Sequence, residues 1–144
     1  MKRVFLDATC WMAAAGSSEG GSSAIISLAQ AFLLLIVASQ AVLNEAERNI
    51  KAKMGLDALR SFHLLLAETE IEICTQATLE EEEAWADLIV EKDRHVLASA
   101  FKTKADVLVT LDRKHVLTET VRANFPVLVQ DTREFLMDFR SLLP

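Results

Sequence analysis

Five short apolar runs alternate along the chain with stretches of helical spacing, and this alternation narrows the possible folds more than any other feature. The runs are VFL at 4–6, LLLIVAS at 33–39, EIEIC at 70–74, DVLVTL at 106–111 and PVLVQ at 126–130. Continuous rather than alternating apolarity marks strands covered on both faces. The intervening segments predict helices over 24–32, from Gln40 with Ser39 as its cap, over 56–69, over 79–92, from Asp93, over 113–124 and through Arg140. Strands separated by helices imply a three-layer α/β/α domain with a central parallel sheet and right-handed crossovers. With no repeat, low-complexity linker or composition break, residues 1–144 are expected to form a single domain.

Two segments imitate membrane or export signals. Ala24 to Leu43 is nearly long enough to span a bilayer, but its first half has helical spacing and its second half suits a buried strand. No Gly or Pro separates these two halves. Lys2, Arg3, VFL and the small-residue run AAAGSS resemble a signal peptide, yet Asp7 interrupts the apolar stretch after three residues. The expectation is a cytoplasmic protein without a membrane segment. Cys10 and Cys74 have neither disulfide-scaffold nor zinc spacing and are expected to be reduced.

Asp7 raises the functional question, because it closes an apolar strand where an unpartnered carboxylate is costly. In an open parallel sheet, ligands collect at the carboxyl ends of the strands. Asp7 follows the first run and Asp112 follows the fourth, so both fall at that edge. Glu45, about two turns into the helix after Ser39, points back toward it, and Asp93 opens the helix ahead of the fourth run. Four converging carboxylates repel one another, and a hard divalent cation such as Mg²⁺ or Mn²⁺ resolves the conflict through oxygen ligands. The net charge of −6 argues against a broad basic surface for nonspecific binding of duplex DNA but does not exclude nucleic acid, because a bound metal would reverse the sign locally.

Plainer readings stand beside these. Asp93 and Asp112 could each cap a helix. Thr78 and Glu81 form a capping box, so Glu80 to Glu83 read as helix-start charge rather than metal ligands. Asp106 precedes its strand and is expected at the opposite edge, and Glu47 points away from Glu45. His63 and His95 lack a second ligand at metal spacing. Lys104, Arg113, Lys114 and His115 are candidates to position phosphates, although the same charges fit a solvated helix start. No phosphate-binding loop or nucleophile elbow competes for the site. A receiver domain would need a lysine after the last strand, which VLVQDTREF lacks, and a haloacid-dehalogenase-type phosphatase would need Asp where Thr9 stands.

Taken in order, VFLDATCWMAAAGSSEGGSSAIISLA, SQAVLNEAERNI and KDRHVLASAFKTKADVLVTLDRKHVL resemble the PIN domain, whose members include toxin ribonucleases of prokaryotic toxin–antitoxin pairs. The resemblance implies a metal-dependent endoribonuclease with Asp7, Glu45, Asp93 and Asp112 as its catalytic and metal-binding acids. Thr110 matches the hydroxyl residue of the T-x-D element, and Thr9 stands where the family often has Asn or Ser. Both become substrate-contact candidates. Cys10 and Trp11 depart from the family's usual small aliphatic pair. The implied partners are an RNA substrate, a cognate antitoxin protein and a second copy in a homodimer. A non-catalytic PIN-like module that binds RNA or protein is the alternative.

Overall fold

A computed structural model describes residues 1–143. Its sheet has five strands, all parallel: β1 (Arg3–Leu6), β2 (Leu35–Ser39), β3 (Ile71–Cys74), β4 (Val107–Val109) and β5 (Leu128–Gln130). The order is β3-β2-β1-β4-β5, with Val4 opposite both Ile36 and Val107. The three central strands are almost wholly buried, as their unbroken apolar runs require, whereas edge strand β3 leaves both Glu72 and Ile73 exposed.

Among the described residues eight α-helices connect and flank the strands. Helices α1 (Ala8–Gly16), α2 (Gly21–Gln30), α3 (Gln40–Lys53) and α4 (Leu56–Glu68) follow β1 and β2, and α1 packs against the other three. Trp11 of α1 meets Phe62 of α4 edge to face, so the unusual tryptophan is a core residue. The last helix, α8 (Thr132–Ser141), packs on α2. Helices α5 (Leu79–Glu83), α6 (Arg94–Lys102) and α7 (Glu119–Asn124) belong to the return crossovers, where Trp85 contacts both Phe101 and Phe125. Right-handed crossovers place them on the other face of the sheet.

Two expected helices are shorter than their sequence pattern. The 79–92 helix ends at Glu83, followed by turns and a 3₁₀ turn over Glu91–Asp93, although the Thr78–Glu81 capping box forms. The 113–124 helix begins only at Glu119, capped by Thr118, and residues 113–116 form a turn. In both places the apolar residues pack without continuing the helical ladder.

The apparent membrane span divides into α2 and β2 without Gly or Pro. Phe32 takes a left-handed conformation (φ 62°), and the amides of Phe32 and Leu33 bond to the carbonyls of Ala29 and Leu28. This is a Schellman ending with an exposed aromatic residue in the position glycine favours. Among the described residues no helix is long and apolar enough to cross a membrane.

The chain runs outward from β1 to β2 and β3, then returns to place β4 on the other side of β1. The carboxyl ends of β1 and β4 therefore form the topological switch point, where an open α/β sheet leaves a crevice for ligands.

Candidate metal centre

Asp7 lies at this switch point as the residue that ends β1 and starts α1, with its backbone N–H bonded to the Val109 carbonyl. Only 4% of it is exposed. Its carboxylate does not cap α1; instead Oδ2 accepts a 2.6 Å hydrogen bond from the Thr110 hydroxyl. Burial pushes the Asp7 carboxyl up to about 6, the Thr110 bond opposes this, and the charges of Glu45 and Asp112 add to the rise.

Thr110 is fully buried, and its hydroxyl oxygen also accepts the Asp112 N–H at 3.0 Å. It thus ties Asp7 to the loop after β4, with its hydroxyl engaged on both sides. Thr9 braces the same loop, because its hydroxyl accepts the Leu111 N–H at 3.0 Å.

The two oxygens of Asp112 have different surroundings. Oδ1 accepts the N–H groups of Lys114 and His115 and so caps the turn, while Oδ2 lies 3.7 Å from His115 Nδ1. Asp93 does not cap α6, since its side chain makes no cap hydrogen bond. It is 8% exposed, and its Oδ2 is buried without a hydrogen-bond partner, 3.5 Å from His115 Nδ1. Ligand atoms of Asp93, Asp112 and His115 all lie within 4.8 Å of one another. Glu45, half-buried on α3, approaches as a charge felt by Asp7.

This donor set fits a divalent cation. A buried carboxylate oxygen without a donor has an unmet demand for positive charge, and oxygen ligands are those Mg²⁺ and Mn²⁺ prefer. The chain belongs to the PIN-domain family. Its PIN-domain model matches residues 3–114, which reach from β1 to just beyond Asp112.

Solved structures show the same fold at low sequence identity. PAE2754 from Pyrobaculum aerophilum aligns with a TM-score of 0.65 and 15% identity, covering 97% of this chain and 96% of that one. VapBC2 from Rickettsia felis, bound to a DNA fragment from its promoter, gives 0.63 and 16%, covering 90% and 98%. VapC20 from Mycobacterium tuberculosis, a toxin that cleaves the sarcin–ricin loop, gives 0.58 and 18%, covering 85% and 95%. No curated protein matches by sequence.

The basic candidates in this PIN domain separate. Arg113 is exposed beside the acids and pairs with Asp131 at 3.0 Å, and Lys114 is exposed next to it. His115 sits between two carboxylates rather than free to meet a phosphate. Its D-x-x-H spacing from Asp112 was the available sequence signal, since it places both side chains on one turn. Lys104 follows α6 in a left-handed Schellman ending, two residues before Asp106, whose N–H bonds to the Arg3 carbonyl at the start of β1. It lies at the opposite edge of the sheet, because α6 runs away from the switch point before β4 returns.

Proposed function

We propose that this PIN-domain protein is a metal-dependent endoribonuclease that hydrolyses RNA phosphodiester bonds and serves as the toxin of a toxin–antitoxin pair. The observation that carries the reading is the buried, unpartnered Asp93 carboxylate beside Asp112 and His115, with Asp7 held nearby at the switch point. The fold shared with VapC toxins supports the toxin role and an antitoxin as partner.

Asp93 and Asp112 would hold Mg²⁺ or Mn²⁺, with Asp7, Glu45 and His115 completing its surroundings. When bound, such a cation lowers the pKa of a coordinated water, polarises the scissile phosphate and stabilises the leaving oxygen. Thr110 fixes the orientation of Asp7 by donating to one of its oxygens, and Thr9 fixes the loop that carries Asp112. Arg113 and Lys114, exposed beside the acids, would position RNA phosphates.

The test is incubation of the purified protein with a mixed RNA pool and Mn²⁺, with and without EDTA. Cleavage that EDTA abolishes is expected, and RNA left intact under both conditions would overturn the nuclease reading. RNA retention without cleavage would instead fit a non-catalytic binding module. Expression of the wild type alone should arrest growth of a host cell, and Asp7→Asn should remove the arrest. An equally toxic Asp7→Asn would overturn the toxin reading.

A further inference from the structure

A cavity of about 410 Å³ lies at the carboxyl edge of the sheet on the β2–β3 side. Gln40 and Asn44 of α3, Gln76 after β3, Glu82 of α5, and His95 and Ser99 of α6 line it. Ser39 also lines the cavity, and the pairing of Phe5 with Val37 sets Ser39 beside Asp7 in the adjacent strand, so the cavity begins one strand away from the carboxylates. Its volume is in the range of small-ligand pockets, suited to one nucleotide rather than a folded partner.

The lining excludes a phosphate and favours a base. It contains no Lys or Arg, and Glu82 would repel an anion. Gln40 and Asn44 are joined amide to amide at 2.9 Å. Whichever way the two amides are turned, the pair leaves one carbonyl oxygen and further N–H groups free, as Gln76 does with its side chain. Adjacent donors and acceptors match the edges of an unpaired base, which RNA-binding proteins read when the strand is splayed open. His95 contributes a ring whose Nδ1 is buried without a partner in the protein. Glu82 adds an acceptor-only group, and that favours the exocyclic amino group of adenine, cytosine or guanine over uracil, whose N3–H donor is flanked by two carbonyl oxygens that repel a carboxylate.

We infer that this cavity is a base-reading subsite, which takes an amino-bearing nucleobase next to the phosphate held at the carboxylates. The inference rests on the RNA-cleaving reading above and names the part of the substrate that the metal centre cannot distinguish. The cavity recognises adenine, cytosine or guanine through the amides and Glu82, and leaves the phosphates to Arg113 and Lys114.

The experiment is titration of the metal-free protein with AMP, CMP, GMP and UMP, followed through the His95 ring and the side-chain amide resonances of Asn44 and Gln76. At least one amino-bearing nucleotide should shift these signals at a tenfold or greater lower concentration than UMP. Glu82→Ala should erase that difference, and Asn44→Ala with Gln76→Ala should weaken binding of every base while the fold, checked by circular dichroism, persists. Equal response to all four nucleotides, or none at these residues, would overturn the subsite. Mn²⁺-dependent cleavage is measured in parallel. Base discrimination in a protein that cuts no RNA would support the subsite while sinking the nuclease, whereas cleavage without discrimination would sink the subsite alone.

Discussion

The two edges of the sheet use the same residue types with opposite outcomes. At the amino edge, Asp106 accepts the Arg3 N–H at 2.7 Å, and the Arg3 guanidinium meets Glu72 and the Thr103 carbonyl. Glu72 is held below the usual carboxylate range by this hydrogen bond and charge. At the carboxyl edge, Asp7 has no cationic partner and is met by the neutral Thr110 hydroxyl, Asp93 has an oxygen with no donor, and a single imidazole stands between Asp93 and Asp112. Balanced charges stabilise a fold by themselves, whereas clustered and buried like charges are kept at a cost that function must explain.

The largest expected difference between the edges is catalytic. Asp7→Asn and Asp112→Asn should each lower Mn²⁺-dependent RNA cleavage by about a thousandfold or more, since each removes charge from the centre while preserving shape. Asp106→Asn should stay within a few-fold of wild type. Equal losses at both edges in a cleavage assay would break the comparison.

Proton linkage gives the next effect. The Asp7 carboxyl is raised in the folded state from 3.8 to about 6, so the folded protein binds the extra proton between those values. Stability contributed by that proton is complete below about pH 4 and is lost as the pH rises through 6, amounting to about 3 kcal/mol. Denaturant melts in EDTA at pH 4 to 7 should show this decline in the wild type and a flatter profile in Asp7→Asn. At pH 7 without metal, the variant should be the more stable protein. A destabilised Asp7→Asn would make Asp7 an ordinary structural acid.

Metal should offset much of this cost in the wild type. At a hundredfold excess of Mn²⁺ over its Kd, the wild type should gain about 2.7 kcal/mol. Asp93→Asn should gain much less, because the unpartnered oxygen is replaced or neutralised. Thermal melts across a Mn²⁺ series check this, and an identical response in both proteins would remove Asp93 from the centre.

The smallest effect belongs to the amino edge. Lys104 holds a left-handed conformation (φ 55°) that glycine adopts without strain, so Lys104→Gly should add about 0.5–1 kcal/mol of stability. Cleavage should not change, because Lys104 faces the edge away from the carboxylates. A drop in RNA cleavage with intact stability would return Lys104 to the substrate path.

The sequence by itself determined the parallel α/β architecture, since doubly buried strands require unbroken apolar runs and such runs are visible without coordinates. It also placed Asp7 and Asp112 at one edge, because strand polarity in a parallel sheet follows from chain order alone. Local signals were sufficient where a side chain acts on its own backbone, as Ser39 does toward Val42 and Thr78 toward Glu81. Tertiary structure alone decided where helical patterns stop, as after Glu83 and before Glu119, because packing rather than periodicity sets whether the ladder continues. It also decided which oxygen of Asp112 caps and which faces His115, that Asp93 caps nothing, and that Thr110 is enclosed. Those facts depend on contacts between residues as far apart as Asp7 and Thr110, and one-dimensional spacing carries no information about which lone pair remains free when distant strands come together.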